Sequence, residues 1–249
     1  MQIAYLSDTG TIKNDNQDFV GIFVNKHGFQ LAIVADGVTS LKGGDVASEM
    51  VVHSLGHQWS ISDVTSSIEA RFWISDVAQN ENLRILEASK KYTDLSNMAT
   101  TFVAAAVFGN EILIANLGDS RAYLFSEDDM LTQLTDDHSL GNELLKRGLV
   151  KSDEMEFVPN NQAITRFFGS KRKIELDFKE LSVNGEDILM LSTDGLSKEI
   201  DENDISRILR NKKISLGEMT AKLIDLANDQ SGFDNVTVLL MSRFEKENN

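Results

Sequence analysis

Short apolar runs bordered by aspartates recur along the chain. Residues 31–35 run directly into Asp-Gly, and residues 188–191 reach a second Asp-Gly through Ser-Thr. A third run, residues 112–115, leads to an aspartate four positions later, and two further runs follow an aspartate closely. Apolar runs of this length, bounded by turn-forming residues, are typical of buried β-strands. The aspartates at the ends of these five strands are Asp18, Asp36, Asp119, Asp194 and Asp234.

The spacing of the other apolar residues places the remaining elements. Residues 1–40 are predicted to form strand, loop, strand, turn and strand. A first helix is expected to begin with Asp45 as its N-cap, and a second at residues 62–63, with Ile68 and Phe72 among its apolar positions. The other predicted elements are strands at 101–108, 112–117, 122–125, 163–168, 176–181, 188–192 and 236–241, and helices at 143–147, 201–209 and 215–227.

This order of elements favours an α+β fold. Strands predominate at both ends of the chain, and the helices fall into two clusters between them. Helices that follow strands in this way are expected to pack outside a sheet. We therefore predict a β-sandwich of two antiparallel sheets flanked by helices, formed by a single domain at residues 1–244, with a polar C-terminal tail at 245–249.

Composition and charge narrow the classes of function. The chain has 249 residues and a net charge of −15, from 24 basic and 39 acidic residues. This balance argues against a nucleic-acid-binding surface, which would carry a basic patch. The chain contains no cysteine, which excludes a thiolate nucleophile, a disulfide and a zinc–sulfur site. A cysteine-based phosphatase is therefore impossible.

The sequence also indicates where in the cell the protein is located. The N-terminus lacks the basic region and the apolar core of a signal peptide. The longest apolar stretch, residues 102–108, is far shorter than the roughly 20 residues that a membrane span needs. We therefore expect a cytoplasmic protein that does not bind membranes.

The five aspartates point to chemistry with hard metal ions. Carboxylate oxygens suit Mg²⁺ or Mn²⁺ better than zinc or copper. Two such ions about 3.5–4 Å apart can lower the pKa of a shared water and hold a phosphate for in-line attack. Each residue alone has a simpler interpretation, because Asp-Gly is a common turn, Asp119 could pair with Arg121, and Asp234 could simply begin a strand.

An ordered set of motifs spans nearly the whole chain. It resembles the metal-dependent serine/threonine protein phosphatases of type 2C, and its compact length resembles their bacterial branch. The motifs that carry the resemblance are Asp8-Thr9-Gly10, Lys13, Asn16-Gln17-Asp18, Val34-Ala35-Asp36-Gly37, Gly44, Ala47-Ser48, Thr100-Thr101, Leu117-Gly118-Asp119-Ser120-Arg121, Asp137-His138-Ser139, Ile164-Thr165-Arg166, Ser192-Thr193-Asp194-Gly195-Leu196 and Phe233-Asp234-Asn235-Val236-Thr237.

The resemblance implies a four-layer α-β-β-α fold and a role for each aspartate. Asp36 would bridge two Mn²⁺ or Mg²⁺ ions, with the Gly37 carbonyl completing one shell. Asp194 and Asp234 would ligate the other ion, and these two with Asp36 would form the catalytic set. Asp18 would act through a metal-bound water. Asp119, with Asp194, would form the weaker third-metal site found in some members.

The resemblance also implies substrates and partners. Lys13 would hold the substrate phosphate, and water activated between the two ions would hydrolyse phosphoserine or phosphothreonine in proteins. The substrates would be those of a cognate serine/threonine kinase, and we expect a monomer. His138, Arg121 and Arg166 are expected to have structural roles.

Three positions depart from the family pattern. Lys13 stands where arginine is usual, so a point charge replaces a planar fork that binds phosphate, and weaker phosphate binding is expected. Gln17 stands where many members have glutamate, and Val38-Thr39-Ser40 replaces smaller residues at the rim of the site. Lys13 and Val38-Thr39-Ser40 leave open a catalytically weak or inactive module that binds a phosphorylated partner. A domain that metal merely stabilises is a third possibility. A histidine-rich two-metal phosphatase is disfavoured, because His138 alone cannot supply its ligands.

Overall fold

The computed structural model describes residues 1–38 and 43–244. Thr39 and Ser40, two of the three rim residues, and the tail at 245–249 lie outside the described residues. The strands are β1 (Gln2–Asp8), β2 (Asp18–Val24), β3 (Gln30–Asp36), β4 (Phe102–Phe108), β5 (Glu111–Leu117), β6 (Arg121–Phe125), β7 (Leu131–Gln133), β8 (Asp177–Ser182), β9 (Ile188–Ser192) and β10 (Val236–Ser242).

The ten strands form two antiparallel sheets of five. One has the order β1-β10-β9-β6-β7 and the other β2-β3-β4-β5-β8. Most neighbours in the second sheet follow each other in the chain, as in a meander, whereas the first sheet joins the two ends of the chain through β1 and β10. The sheets pack face to face over an apolar layer that includes Val34, Val103, Leu191 and Leu239. The predicted sandwich is confirmed.

Helices cover both outer faces of the sandwich. They are α1 (Gly44–Ser60), α2 (Ser67–Lys91), α3 (Leu140–Lys146), α4 (Asp194–Ser197), α5 (Glu202–Leu209) and α6 (Leu216–Gln230), with short 3₁₀ turns at Thr93–Leu95 and Ser152–Phe157. One outer core joins α1 and α2 to the second sheet, around Trp59, Ile74 and Phe102. The other joins α4, α5 and α6 to the first sheet, around Tyr123 and Leu223. The resulting layers are α, β, β and α.

Several predicted boundaries are wrong. The N-cap of α1 is Gly43, so Asp45 lies within the first helical turn. The N-cap of α2 is Ser66, whose hydroxyl accepts from the Glu69 amide, so the helix begins later than residues 62–63. Ile68 and Phe72 are 65% and 71% exposed, because the buried stripe of α2 runs through other positions. That stripe includes Ala70, Ile74, Val77, Ala78 and Ile85.

Three further elements differ from the prediction. Residues 163–168 are not a strand, since they make only isolated bridges from Ile164 to Ser139 and from Phe168 to Thr100. The short strand β7 and the single-turn helix α4 were not predicted. By contrast, the helix predicted at 215–227 is present as α6 and begins with a capping box, in which the Ser215 hydroxyl and the Glu218 carboxylate each accept from the other residue's amide. In the described ranges, no helix is both long and apolar enough to cross a membrane.

Candidate active site

The topology brings the five aspartates to one end of the sandwich. Asp18 opens β2 and lies directly opposite Asp36, which closes β3. Asp194 follows the end of β9, and Asp234 precedes the start of the neighbouring antiparallel strand β10. Asp119 follows β5, whose end pairs with the start of β4 beside β3. Residues more than 200 positions apart in the chain thus meet at one edge of both sheets.

Two glycines permit the close approaches that assemble this end. A Cβ on Gly195 would lie 2.0 Å from the carbonyl oxygen of Asn235, so the turn after Asp194 fits against the segment of Asp234 only without a side chain. A Cβ on Gly37 would lie 2.4 Å from the backbone of Gly44 at the start of α1. Neither Asp-Gly pair is the plain turn of the simpler interpretation, because Asp36 ends β3 with Gly37 bridged to Thr100, and Asp194 and Gly195 begin α4. Both glycines allow chain segments to pack closely beside the carboxylates.

Hydroxyl groups fix the orientation of Asp18. Its Oδ2 accepts from Thr237 Oγ1 at 2.7 Å and from Thr193 Oγ1 at 2.9 Å, which ties the start of β2 to the other sheet. Ser7 Oγ lies 2.7 Å from Thr237 Oγ1 and in turn accepts from Asn16 at 2.8 Å. Both threonines donate their hydroxyl protons to Oδ2, and Asp18 Oδ1 accepts no hydrogen bond from the part of the chain that the structure describes.

Backbone contacts hold the end of β3 that carries Asp36. The Asp36 amide donates to Thr101 Oγ1 at 3.0 Å, and its carbonyl accepts from Thr100 Oγ1 and from the Thr101 amide, each at 2.9 Å. Thr101 Oγ1 also lies 2.6 Å from Ser120 Oγ, beside Asp119. The Thr-Thr pair of the sequence motif therefore connects two aspartate-bearing segments.

Asn235 joins the first loop to the last strand. Its Oδ1 accepts from the Gln17 amide at 2.9 Å, and its Nδ2 donates to the carbonyls of Thr9 at 2.8 Å and Asp15 at 3.0 Å. The segment that precedes Asp18 is thereby fixed against the segment that carries Asp234. The buried Gln17 Oε1, where many family members have a carboxylate, has no hydrogen-bond partner among the described residues.

Burial and mutual repulsion perturb the acidity of the site. Burial, followed by repulsion from Asp194 and Asp18, raises the pKa of Asp36 well above its ordinary value. Burial raises the pKa of Asp18 to about 7 even though two threonine hydroxyls favour its charged form. Burial and the charge of Asp194 raise the pKa of Asp119 to about 6. Repulsion between like charges and burial both disfavour ionisation of these carboxylates. Bound cations would offset both effects and allow all of them to be charged.

The donor set fits a hard divalent ion. The Oδ1 atoms of Asp18 and Asp119 are buried and have no hydrogen-bond partner in the described parts of the chain. Buried polar atoms normally have partners, so such orphans call for an ion or water. Oxygen-only ligands are those that Mg²⁺ and Mn²⁺ prefer. Within residues 1–38 and 43–244, no three His, Asp or Glu side chains are grouped closely enough to hold a metal ion as they stand.

Two lysines lie among the aspartates. Lys13 Nζ is 3.4 Å from Asp234 Oδ1, and this lysine is one-third exposed at the mouth of the site. Lys198 contacts Asp194 Oδ2 and lies 3.5 Å from Asp119 Oδ2. Burial would lower the pKa of Lys198, but Asp194 and Asp119 outweigh it and hold that pKa above its ordinary value. Lys13 was predicted as a site residue, whereas Lys198 was not.

His138 and the two motif arginines make structural contacts. His138 Nδ1 accepts from the Gly118 amide at 2.9 Å, and its Nε2 lies 3.0 Å from Asp177 Oδ2. Burial lowers the pKa of His138. Arg121 forms a two-pronged ion pair with Asp137, at 2.8 and 2.6 Å, and not with Asp119. Arg166 Nη2 lies 2.8 Å from Asp177 Oδ1. These contacts agree with the structural roles expected for all three side chains.

Comparisons with known proteins agree with this arrangement. A family model described as protein phosphatase 2C matches residues 12–236. The chain is 36% identical to the serine/threonine phosphatase stp of Listeria monocytogenes, over 98% of this chain and 96% of that relative. It is also 36% identical to the protein phosphatase PhpP of Streptococcus pneumoniae, over 99% of each chain.

A solved structure shows the same architecture. The serine/threonine phosphatase of S. agalactiae superposes with a TM-score of 0.90 at 36% identity, covering 96% of this chain and 98% of that one. The family match, at residues 12–236, includes all five aspartates. The chain belongs to the protein phosphatase 2C family.

Proposed function

We propose that this chain hydrolyses phosphoserine and phosphothreonine in proteins at the aspartate centre, with two Mn²⁺ or Mg²⁺ ions as its resident cofactors. Family membership makes it a protein-serine/threonine phosphatase, and the phosphatases of this family are metal-dependent. The observation that carries the choice of site is the convergence of five aspartates, of which Asp18 and Asp119 each have a buried Oδ1 atom without a hydrogen-bond partner among the described residues. The identity and number of the ions, and the residues that bind them, are part of the proposal.

Four of the five aspartates have a proposed place in the two-ion centre. Asp36, with the Gly37 carbonyl, would hold both ions, and Asp194 and Asp234 would hold one of them. Asp18 would act on the same centre through water, since its two threonine donors both use Oδ2 and its buried Oδ1 has no partner among the described residues. When bound, the ions supply charge neutralisation for the phosphate and a lowered pKa for water.

The chain's own residues prepare this centre. Thr193 and Thr237 use their hydroxyl protons to orient Asp18, so they act as positioning groups. Thr100 and Thr101 form hydrogen bonds with the backbone of Asp36, which fix the position of the backbone that carries its carboxylate. Fixed ligands of this kind lower the reorganisation that accompanies the reaction.

Lys13 is proposed to bind the substrate phosphate. Its ammonium lies at the mouth of the site beside Asp234 and is one-third exposed, so an incoming phosphate can reach it. A lysine gives a single point charge, whereas the arginine usual at this position can bind two phosphate oxygens at once. Lys13 would therefore support substrate binding less strongly than arginine does.

The cellular setting completes the proposal. Phosphoprotein substrates require a kinase that makes them, and we infer a cognate serine/threonine kinase. We further propose a monomer located in the cytoplasm, without nucleic-acid or membrane partners. The net charge of −15 supports the exclusion of nucleic acid, because phosphate backbones would be repelled.

The test of this function is hydrolysis of a phosphothreonine peptide titrated with Mn²⁺. We expect no phosphate release in EDTA, saturable release as Mn²⁺ is added, and many turnovers per protein molecule, because the carboxylates need cations to be fully ionised. Phosphopeptide binding without release, from protein shown to be folded, would instead establish the phosphate-binding module. Mn²⁺ that raises the melting temperature without any hydrolysis or peptide binding would indicate a purely structural role for metal.

Replacing Lys13 by arginine is expected to lower KM for the phosphopeptide several-fold with little change in kcat. The physical reason is that a guanidinium makes two parallel hydrogen bonds to phosphate, worth about 1–2 kcal/mol more than one point contact. Steady-state kinetics of wild type and Lys13→Arg measure this directly. The matched control is Lys26→Arg, at an exposed ion pair with Asp63, which should leave both constants unchanged. An unchanged KM in Lys13→Arg would contradict phosphate binding by this side chain.

A further inference from the structure

Lys198 is placed among the aspartates by the local sequence. It caps the C-terminal end of α4, four residues after Asp194, and its amide donates to the Asp194 carbonyl at 2.8 Å. Side chains four residues apart in a helical turn lie on the same face, so the lysine is directed back to the carboxylate of Asp194. The five-residue segment from Asp194 to Lys198 therefore carries both a carboxylate and its own counter-ion.

The same ammonium also reaches Asp119. Its Nζ lies between Asp194 Oδ2, which it contacts, and Asp119 Oδ2 at 3.5 Å. The side chains of Asp194 and Asp119 are only 11% and 5% exposed, whereas that of Lys198 is 38% exposed. These are the two carboxylates that the family resemblance assigned to a weaker third metal ion. A positive charge that belongs to the protein thus lies at the position expected of that ion.

We propose that Lys198 takes the place of a third divalent cation between Asp119 and Asp194, so that two ions saturate the centre of this chain. The inference rests on the metal centre proposed above. It concerns how that centre is completed in this sequence, and it makes Lys198 a positioning residue for Asp194.

An ammonium group differs from a divalent cation in its charge, in its hydrogen bonds and in its exchange with solution. Lysine brings one positive charge and three hydrogen-bond donors, enough to satisfy two carboxylate oxygens. It cannot exchange with solution or respond to the concentration of metal. A divalent ion at the same position would be lost at low metal concentration, and Asp194 would then lose a partner. Because Lys198 is part of the chain, Asp194 stays oriented towards the other two ions even when the metal concentration is too low to fill a third site.

Counting bound Mn²⁺ by titration calorimetry and by native mass spectrometry tests the proposal without relying on activity. We expect wild type to bind two ions per chain at the Mn²⁺ concentration that saturates hydrolysis. We expect Lys198→Met, which keeps the stem and removes the charge, to bind a third ion more weakly. Lys198→Arg restores the charge and should return the count to two.

Controls separate this effect from general electrostatics. Lys26→Met removes the same charge from an exposed pair at the far end of β2 and should still bind two ions. A wild type that binds three ions, or a Lys198→Met variant that still binds two, would overturn the role of Lys198 while leaving the metal centre intact. A wild type that binds none would overturn both. The wild-type count decides the matter even if Lys198→Met does not fold.

Discussion

Replacing Asp36 by asparagine is expected to reduce hydrolysis by about 10³-fold or more and, at the same time, to stabilise the metal-free protein. Activity falls because Asp36 is the proposed bridge between the two ions. Stability rises because burial and the charges of Asp194 and Asp18 disfavour a carboxylate at this position, and an amide of the same shape removes that charge. An increase in stability that accompanies loss of function is the signature of a residue kept for chemistry.

The pH dependence of the metal-free protein follows from the same groups. The pKa values of Asp36, Asp18 and Asp119 are raised in the folded state, the latter two to about 7 and about 6. Between the ordinary aspartate pKa of about 4 and these values, the folded protein binds protons that the unfolded chain does not. Stability in EDTA therefore falls as the pH rises through this window, and most of the contribution of Asp18 and Asp119 to that fall is complete by pH 8. Asp36→Asn should show a shallower fall.

Denaturant unfolding of wild type and Asp36→Asn in EDTA at pH 5 and pH 8 measures both the gain in stability of the variant and its weaker dependence on pH. The control is Asp187→Asn, at another buried aspartate, which lies at the opposite end of β9 and accepts from the amides of Glu127 and Asn184. That variant should lose stability and keep its hydrolysis and its response to Mn²⁺. An Asp36→Asn protein that is both active and less stable would show that Asp36 is a structural residue.

Replacing Gly195 by alanine is expected to lower stability by about 1–3 kcal/mol and to reduce hydrolysis by about 10²-fold. The added Cβ would lie 2.0 Å from the carbonyl oxygen of Asn235, a backbone atom that cannot move without moving the segment of Asp234. Alanine favours a helix over glycine by about 1 kcal/mol, but a backbone collision outweighs this gain. The turn must shift, and it moves Asp194 relative to Asp234. Thermal melting, Mn²⁺ affinity and steady-state rates measure the three consequences.

Gly217→Ala is the matched control for Gly195→Ala. This glycine lies in the first turn of α6, where a Cβ would meet nothing closer than 3.9 Å. The helix preference of alanine is then unopposed, so stability should stay the same or rise by up to about 1 kcal/mol, and activity should not change. Wild-type activity and metal affinity in Gly195→Ala would contradict the view that this glycine sets the spacing of the two aspartates.

The strands could be predicted from sequence because each is an unbroken apolar segment bounded by turn formers. The buried β3, β4, β9 and β10 lie where they were predicted, within one residue at each end. The start of α2 could not be predicted, since Ser62, Asp63 and Ser66 can all cap a helix and only tertiary packing selects Ser66. The predicted strand at 163–168 failed because its residues pair with loops instead of a strand.

Part of the candidate site could likewise be predicted from the sequence, and part could not. Its five aspartates were identifiable because each borders a strand, and the resemblance of the motifs supplied their proposed roles. Lys198 was not identified, because its pairing with Asp119 depends on a residue 79 positions earlier in the chain. The hydroxyls of Thr193 and Thr237 belong to recognised motifs, but their shared target, Asp18, becomes visible only when the two sheets are packed together.

The most direct test of one shared metal centre is to follow hydrolysis of a phosphothreonine peptide and the melting temperature in the same Mn²⁺ titration, for wild type and Asp194→Ala. We expect both properties of wild type to rise over the same range of Mn²⁺ concentration, and the folded Asp194→Ala protein to show neither rise. Hydrolysis that persists in EDTA, or that Asp194→Ala retains at the wild-type rate, would contradict the proposal that these aspartates form the catalytic centre.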